Sequence, residues 1–130
     1  MNQNIAIRMT SAKTYEIEGG RQADKLNPKE LMLLAGATCA GMTAMSILEK
    51  QRIPGARLEI ELSGELSTEQ LQSDSVFASF RIVYRASCTC DDQEKVSRAI
   101  TLAHDKYCGG VKMLGAIAPV EREISIVNRS

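Results

Sequence analysis

The chain is predicted to be an α+β domain, and three observations carry that prediction. Alternating apolar residues mark strands near the start, in the middle and at the end. A long uncharged run marks one buried helix, and a later amphipathic segment marks further helical structure before the last strand. The expected order is ββαββααβ.

Ile5, Ile7 and Met9 share one parity, and Tyr15 and Ile17 share another, so two short strands open the chain. Gly19-Gly20 ends the second, and RQADKLNP reads as a polar connection. Asn27 before Pro28 is a helix start: a side-chain cap, then a ring that presets φ. Glu30 falls in the first turn, where the macrodipole favours an anion. The helix is predicted from Pro28 to about Gln51, and Pro54-Gly55 bars its continuation. Leu58, Ile60 and Leu62 alternate with Arg57, Glu59, Glu61 and Ser63. In the next strand Phe80, Ile82, Tyr84, Ala86, Cys88 and Cys90 share one face, leaving Arg81 and Arg85 on a solvated one. Asp91 and Glu94 have capping-box spacing, and Val96, Ala99, Ile100, Ala103 and Tyr107 then repeat at helical intervals. Gly109-Gly110 interrupts, VKMLGAI resumes as a short helix, and Val120, Ile124 and Ile126 form the last strand.

The length, 130 residues, suits a single domain spanning residues 1–130. Sixteen basic and sixteen acidic residues cancel, and only two Phe, three Tyr and no Trp are available for stacking. No nucleic-acid partner is therefore expected. The opening MNQNIAIRMTSAK lacks the layout of a secretory signal, so a cytoplasmic location is expected. In that compartment Cys39, Cys88, Cys90 and Cys108 would be free, catalytic or metal-binding thiols rather than a disulfide framework.

Residues 31–48, LMLLAGATCAGMTAMSIL, hold no charge and are long enough for a marginal membrane span. Gly36, Thr38, Cys39, Gly41, Thr43 and Ser46 dilute the run, and no aromatic belt flanks it. A buried core helix is the expectation, with no membrane partner. A domain of this size seldom encloses such a helix on every side, so a homodimer is expected to supply the missing cover. Cys39 at its midpoint reads, on spacing alone, first as a small packed hydrophobe. Cys108 lies where one helix ends and another begins, and amides there favour a thiolate. Cys88, Cys90, His104 and Cys108 could offer four soft ligands to zinc, but Cys-x-Cys is not a usual knuckle. Met32, Met42, Met45 and Met113 read as core filler. No phosphate-cradling loop, paired acid motif or nucleophile elbow is present.

Two segments resemble one known family. NPKELMLLAGATCAGMTAMSILEKQRI is similar to the first cysteine helix of the OsmC/Ohr family, and HDKYCGGVKMLGAIAPVEREI resembles its second cysteine segment. The wording is closest to the short OsmC-like branch. The resemblance implies an OsmC-like fold: an antiparallel sheet packed with a long buried helix, in an intertwined homodimer. It implies a thiol-dependent peroxidase in which Cys39 attacks an organic hydroperoxide and becomes a sulfenic acid. Cys108 would condense with it as a disulfide, and an external dithiol such as dihydrolipoamide would restore the pair, with no bound cofactor or metal. The chemistry is consistent: the thiolate is the nucleophile, and a nearby thiol protects the sulfenic acid from further oxidation. Ohr enzymes hold the thiolate with an early arginine paired to a glutamate directly after the helix-start proline. Here Lys29 has that place and Glu30, the supporting candidate, comes one residue later; Arg8 and Arg21 are the early arginines. The alternative expectation is a non-enzymatic OsmC-fold dimer that binds or senses a small apolar or electrophilic ligand.

Overall fold

The computed structural model describes residues 1–53 and 55–128. Pro54, expected to bar the first helix, lies outside the described residues. The observed order is β1 (Asn2–Met9), β2 (Tyr15–Ile17), α1 (Pro28–Lys50), β3 (Arg57–Leu66), β4 (Phe77–Cys88), α2 (Gln93–Leu102), α3 (Gly109–Ile117) and β5 (Val120–Asn128). Short 3-10 turns at Glu18–Gly20 and Ala23–Lys25 fill the polar connection.

The start of α1 is as its sequence requires. The Asn27 side chain accepts the Glu30 N–H at 2.8 Å, and the Glu30 carboxylate accepts the Asn27 N–H at 3.0 Å, a reciprocal capping box. The helix stops at Lys50, and Arg52 follows in the left-handed region at φ 55°. The Asp91–Glu94 box does not form. Asp91 belongs to a 3-10 turn, Cys90–Asp92, and Asp92 is the residue before α2. The Asp92 carboxylate instead accepts the Thr89 hydroxyl at 3.1 Å.

Among the described residues five strands make one sheet in the order β2-β1-β3-β4-β5. Its first four strands pair antiparallel, but β5 runs parallel to β4, with Phe80 opposite Val120 and Cys88 opposite Asn128. The expected antiparallel sheet is thus corrected to a mixed one. The two helices between β4 and β5 form a crossover that returns the chain to the end where β4 began, which is what a parallel neighbour requires.

One face of the sheet is the core. Ile7, Leu58, Ile60, Leu62, Ile82 and Tyr84 are fully buried and pack against Leu33, Ala37, Ala40, Ala44 and Leu48 of α1. Those α1 positions recur at intervals of three and four, so one stripe faces the sheet. Each buried leucine of that stripe contributes about 2 kcal/mol of transfer free energy. The opposite sheet face is charged, with Arg85 on Glu61 and Arg81 on Glu123, each at 2.8 Å. The α1 helix is long and apolar enough to cross a membrane, yet it lies across this sheet with a buried stripe. The stripe does not extend all round: Leu31 and Met32 are exposed within the single chain.

Candidate functional site

Two helices deliver the thiols. Cys39 lies mid-way along α1, on a flank beside the buried stripe. Between α2 and α3 the residues Ala103–Tyr107 form a π turn, closed by a bond from the Cys108 N–H to the Ala103 carbonyl at 2.8 Å. That wider turn leaves Cys108 in extended backbone, at φ −87° and ψ 102°, as the cap of α3. The Cys108 sulfur accepts the Val111 N–H at 3.4 Å. The expected helix N-terminus is therefore present.

Glycines bring the helices together. A Cβ on Gly110 would sit 2.9 Å from the Cys39 Cβ and 3.5 Å from the Gly36 Cα. On Gly36 it would meet Leu114 Cδ1 at 2.7 Å. α1 and α3 thus meet glycine against glycine, closer than any side chain would permit.

At this contact the sulfurs of Cys39 and Cys108 are 3.3 Å apart, with the Cys108 thiol donating. The Gly110 N–H also points at the Cys39 sulfur, at 3.4 Å. All four cysteines are free thiols. Cys108 is fully buried, whereas Cys39 is partly exposed. Burial pushes the Cys108 thiol up to about 11; the Val111 N–H opposes the rise and the Cys39 thiol adds to it.

Cys39 opens onto a groove of about 330 Å³, also lined by Met32, Gly36, Met113, Leu114 and Ile117. Among the described residues no ionisable group other than Cys39 lines it. Met32, Met113 and Ile117 are exposed in the single chain, so the methionines at this end are not core filler.

Glu30 is held elsewhere. It pairs with Arg21, which also donates to the Asn4 carbonyl at 3.3 Å. Burial alone would raise the Glu30 carboxyl, but Arg21 and the Asn27 N–H outweigh it and hold it below the usual carboxylate range. Nine residues of α1 separate Glu30 from Cys39, about 13.5 Å of rise and roughly half a turn around the axis. Within one chain the Arg21–Glu30 pair therefore faces away from Cys39. Arg8 pairs with Glu16 on the charged sheet face, and Lys29 reaches the Ser73 carbonyl at 3.4 Å.

The four candidate zinc ligands do not gather: among the described residues no three His, Cys, Asp or Glu side chains converge. Cys88 is buried, but Cys90 lies past the end of β4 and is exposed, which corrects its inward-facing assignment. His104 bonds through Nδ1 to the buried Tyr84 hydroxyl at 2.7 Å, a contact sequence reasoning missed. Burial and the nearby Arg122 hold this imidazole below its ordinary value. Gly110 was also missed, and its signal was the Gly109-Gly110 pair, which begins α3 rather than breaking it.

Comparison with known proteins bears on the fold and the family. Protein YhfA of Escherichia coli K12 is 26% identical over 109 residues, 83% of this chain and 79% of that protein. A hypothetical protein from Aquifex aeolicus VF5 has a crystal structure that superposes with a TM-score of 0.66 at 19% identity, covering 100% of this chain and 98% of that one. The crystal structure of an organic hydroperoxide resistance protein OsmC from Legionella pneumophila gives 0.51 at 15% identity, covering 95% and 96%. These two likenesses establish the shared fold. A sequence model of the OsmC-like protein family matches residues 20–123, and the chain belongs to that family.

Proposed function

We propose that the protein is a thiol-dependent peroxidase that reduces organic hydroperoxides. The observation that carries this reading is the 3.3 Å separation of the Cys39 and Cys108 sulfurs at the floor of an apolar groove. Cys39 is the attacking thiol, because it alone of the two lines the groove. Its thiolate attacks the distal peroxide oxygen; an S–O bond forms, the O–O bond breaks, and the alkoxide leaves to be protonated as the alcohol. The Gly110 N–H and the Cys108 thiol are the donors that meet charge on the Cys39 sulfur. Cys108 then attacks the sulfenic acid and water departs. Closing 3.3 Å to a disulfide bond of about 2.05 Å needs a shift of little more than 1 Å. A dithiol reductant exchanges with that disulfide and regenerates both thiols. The organic hydroperoxide resistance protein among the structural relatives supports the same substrate class.

The working form is a homodimer in the cytoplasm. Leu31, Met32, Met113 and Ile117 leave an uncovered apolar face along α1 and α3 that a second copy would bury. The Arg21–Glu30 pair, turned from its own Cys39, then serves the partner's thiol and supplies the cation an apolar pocket needs. The second reading, a dimer binding a small apolar or electrophilic ligand, is favoured by one observation: among the described residues of the single chain no cation lines the groove.

The test is to treat the reduced protein with one equivalent of cumene hydroperoxide and map the products by mass spectrometry. Rapid Cys39–Cys108 disulfide formation is expected. Thiols that remain intact, or oxidise no faster than free cysteine, would leave only the binding reading.

A further inference from the structure

We infer that the Cys39–Cys108 pair is a chelating site for monosubstituted trivalent arsenicals, with the organic substituent lodged in the adjoining groove. The inference deepens the binding reading, since it needs the paired thiols and no peroxide chemistry.

The two sulfurs lie close enough for one small centre to bridge them. With bonds of about 2.3 Å to thiolate, a tetrahedral ion holds two sulfurs about 3.8 Å apart and a linear ion about 4.6 Å apart. At 3.3 Å, bonds of about that length subtend roughly 92°. Valence angles near a right angle belong to a pyramidal trivalent centre that carries a lone pair, as arsenic(III) does. Zinc fails on donors: no third His, Cys, Asp or Glu joins the pair among the described residues. A monosubstituted arsenical asks for no further ligand, because two thiolates and one carbon complete its valences.

The surroundings supply the rest. Gly36 and Gly110 keep the sulfurs close through the backbone, so little ordering remains to be done on binding. The groove beside Cys39 offers about 330 Å³ between Met32, Met113, Leu114 and Ile117, room for an aryl group and no charge to desolvate. The step balances without an oxidant. Two As–S bonds form, the arsenic–oxygen bond breaks, and both thiol protons leave with that oxygen as one water.

The test adds phenylarsine oxide to the reduced full chain and measures stoichiometry by intact and peptide mass spectrometry, with affinity from competition by a small dithiol. One phenylarsenic group per chain is expected, bridging Cys39 and Cys108. Cys39→Ser and Cys108→Ser should each weaken binding at least about a hundredfold, the loss of an intramolecular second bond. A Cys88→Ser, Cys90→Ser double variant should bind as the parent does. Met113→Lys, at an exposed position, should reduce the preference for phenylarsine oxide over arsenite about tenfold. Label bridging Cys88 and Cys90, or single-serine variants that bind as tightly as the parent, would overturn the assignment. A chain that chelates the arsenical but survives cumene hydroperoxide loses the peroxidase reading and keeps this one; the reverse pattern does the opposite.

Discussion

Gly110→Ala separates the geometry of the thiols from the stability of the fold. The added methyl carbon would lie 2.9 Å from the Cys39 Cβ and 3.3 Å from its sulfur. Non-bonded carbons rest at about 3.5–4.0 Å, so α1 and α3 must part by roughly 0.6–1 Å at this point. Neither neighbour is the loose end of a long side chain, so the helices themselves must yield. Overpacking of this kind costs about 1–3 kcal/mol. Replacing glycine inside a helix returns up to about 1 kcal/mol, so the net loss is at most about 3 kcal/mol. Gly109→Ala is the control, because a Cβ there meets nothing within 4 Å while the helix gains the same propensity. The assay follows disulfide formation after one equivalent of hydroperoxide in stopped-flow quench, beside urea denaturation of the reduced proteins. A displacement approaching 1 Å should slow Cys39–Cys108 closure about ten- to a hundredfold in Gly110→Ala. Gly109→Ala should close at the parent rate. Equal rates in the two variants would show that the glycine contact does not set the sulfur separation.

Three further outcomes are expected. The Cys108 thiol favours its neutral form in the folded chain, so its contribution is complete below pH 9.0, its ordinary value, and is lost as pH climbs through about 11. Urea denaturation of the reduced protein should show a fall of about 2 kcal/mol across that window, absent from Cys108→Ala; identical pH profiles would remove Cys108 as its source. Arg21→Ala should change stability by less than about 1 kcal/mol, because the guanidinium is well exposed, yet it should slow sulfenic acid formation trapped by dimedone. An unchanged trapping rate would take the Arg21–Glu30 pair out of the site. Asn27→Ala should cost about 1 kcal/mol in thermal or urea unfolding through loss of the α1 cap, and no loss would mean that Glu30 alone secures that terminus.

Much of this molecule could be read from local pattern. The Asn27-Pro28-x-Glu30 start of α1 and the alternation in β3 are decided by neighbours in the chain, and they form where expected. The direction of β5 is not local. Val120, Ile124 and Ile126 alternate equally well in either orientation, and the crossover helices choose the parallel one. Asp91 has the right spacing for a cap, but a 3-10 turn from Cys90 moves the start of α2 to Gln93 and takes Asp91 out of position. Both thiols could be singled out as candidates. Their contact was implied only by the family resemblance and not by local pattern, because it depends on Gly36 and Gly110, far apart in the chain, meeting across two helices. The site of Arg21 was equally hidden, for its ion pair joins a polar connection to the first turn of α1.

The π turn at Ala103–Tyr107 has a consequence for how this chain tolerates insertion and deletion. It adds one residue to a helical repeat, and that single residue fixes the direction in which the next side chain points. Deleting one position there would let α2 run on regularly with Cys108 close to its present direction, whereas winding all the same residues as regular α-helix would swing Cys108 around the axis by roughly 100°. In the second case its sulfur would turn away from α1, even with every helix and strand still in place. Tightening this turn without a deletion is thus a way to silence the thiol pair without unfolding the protein.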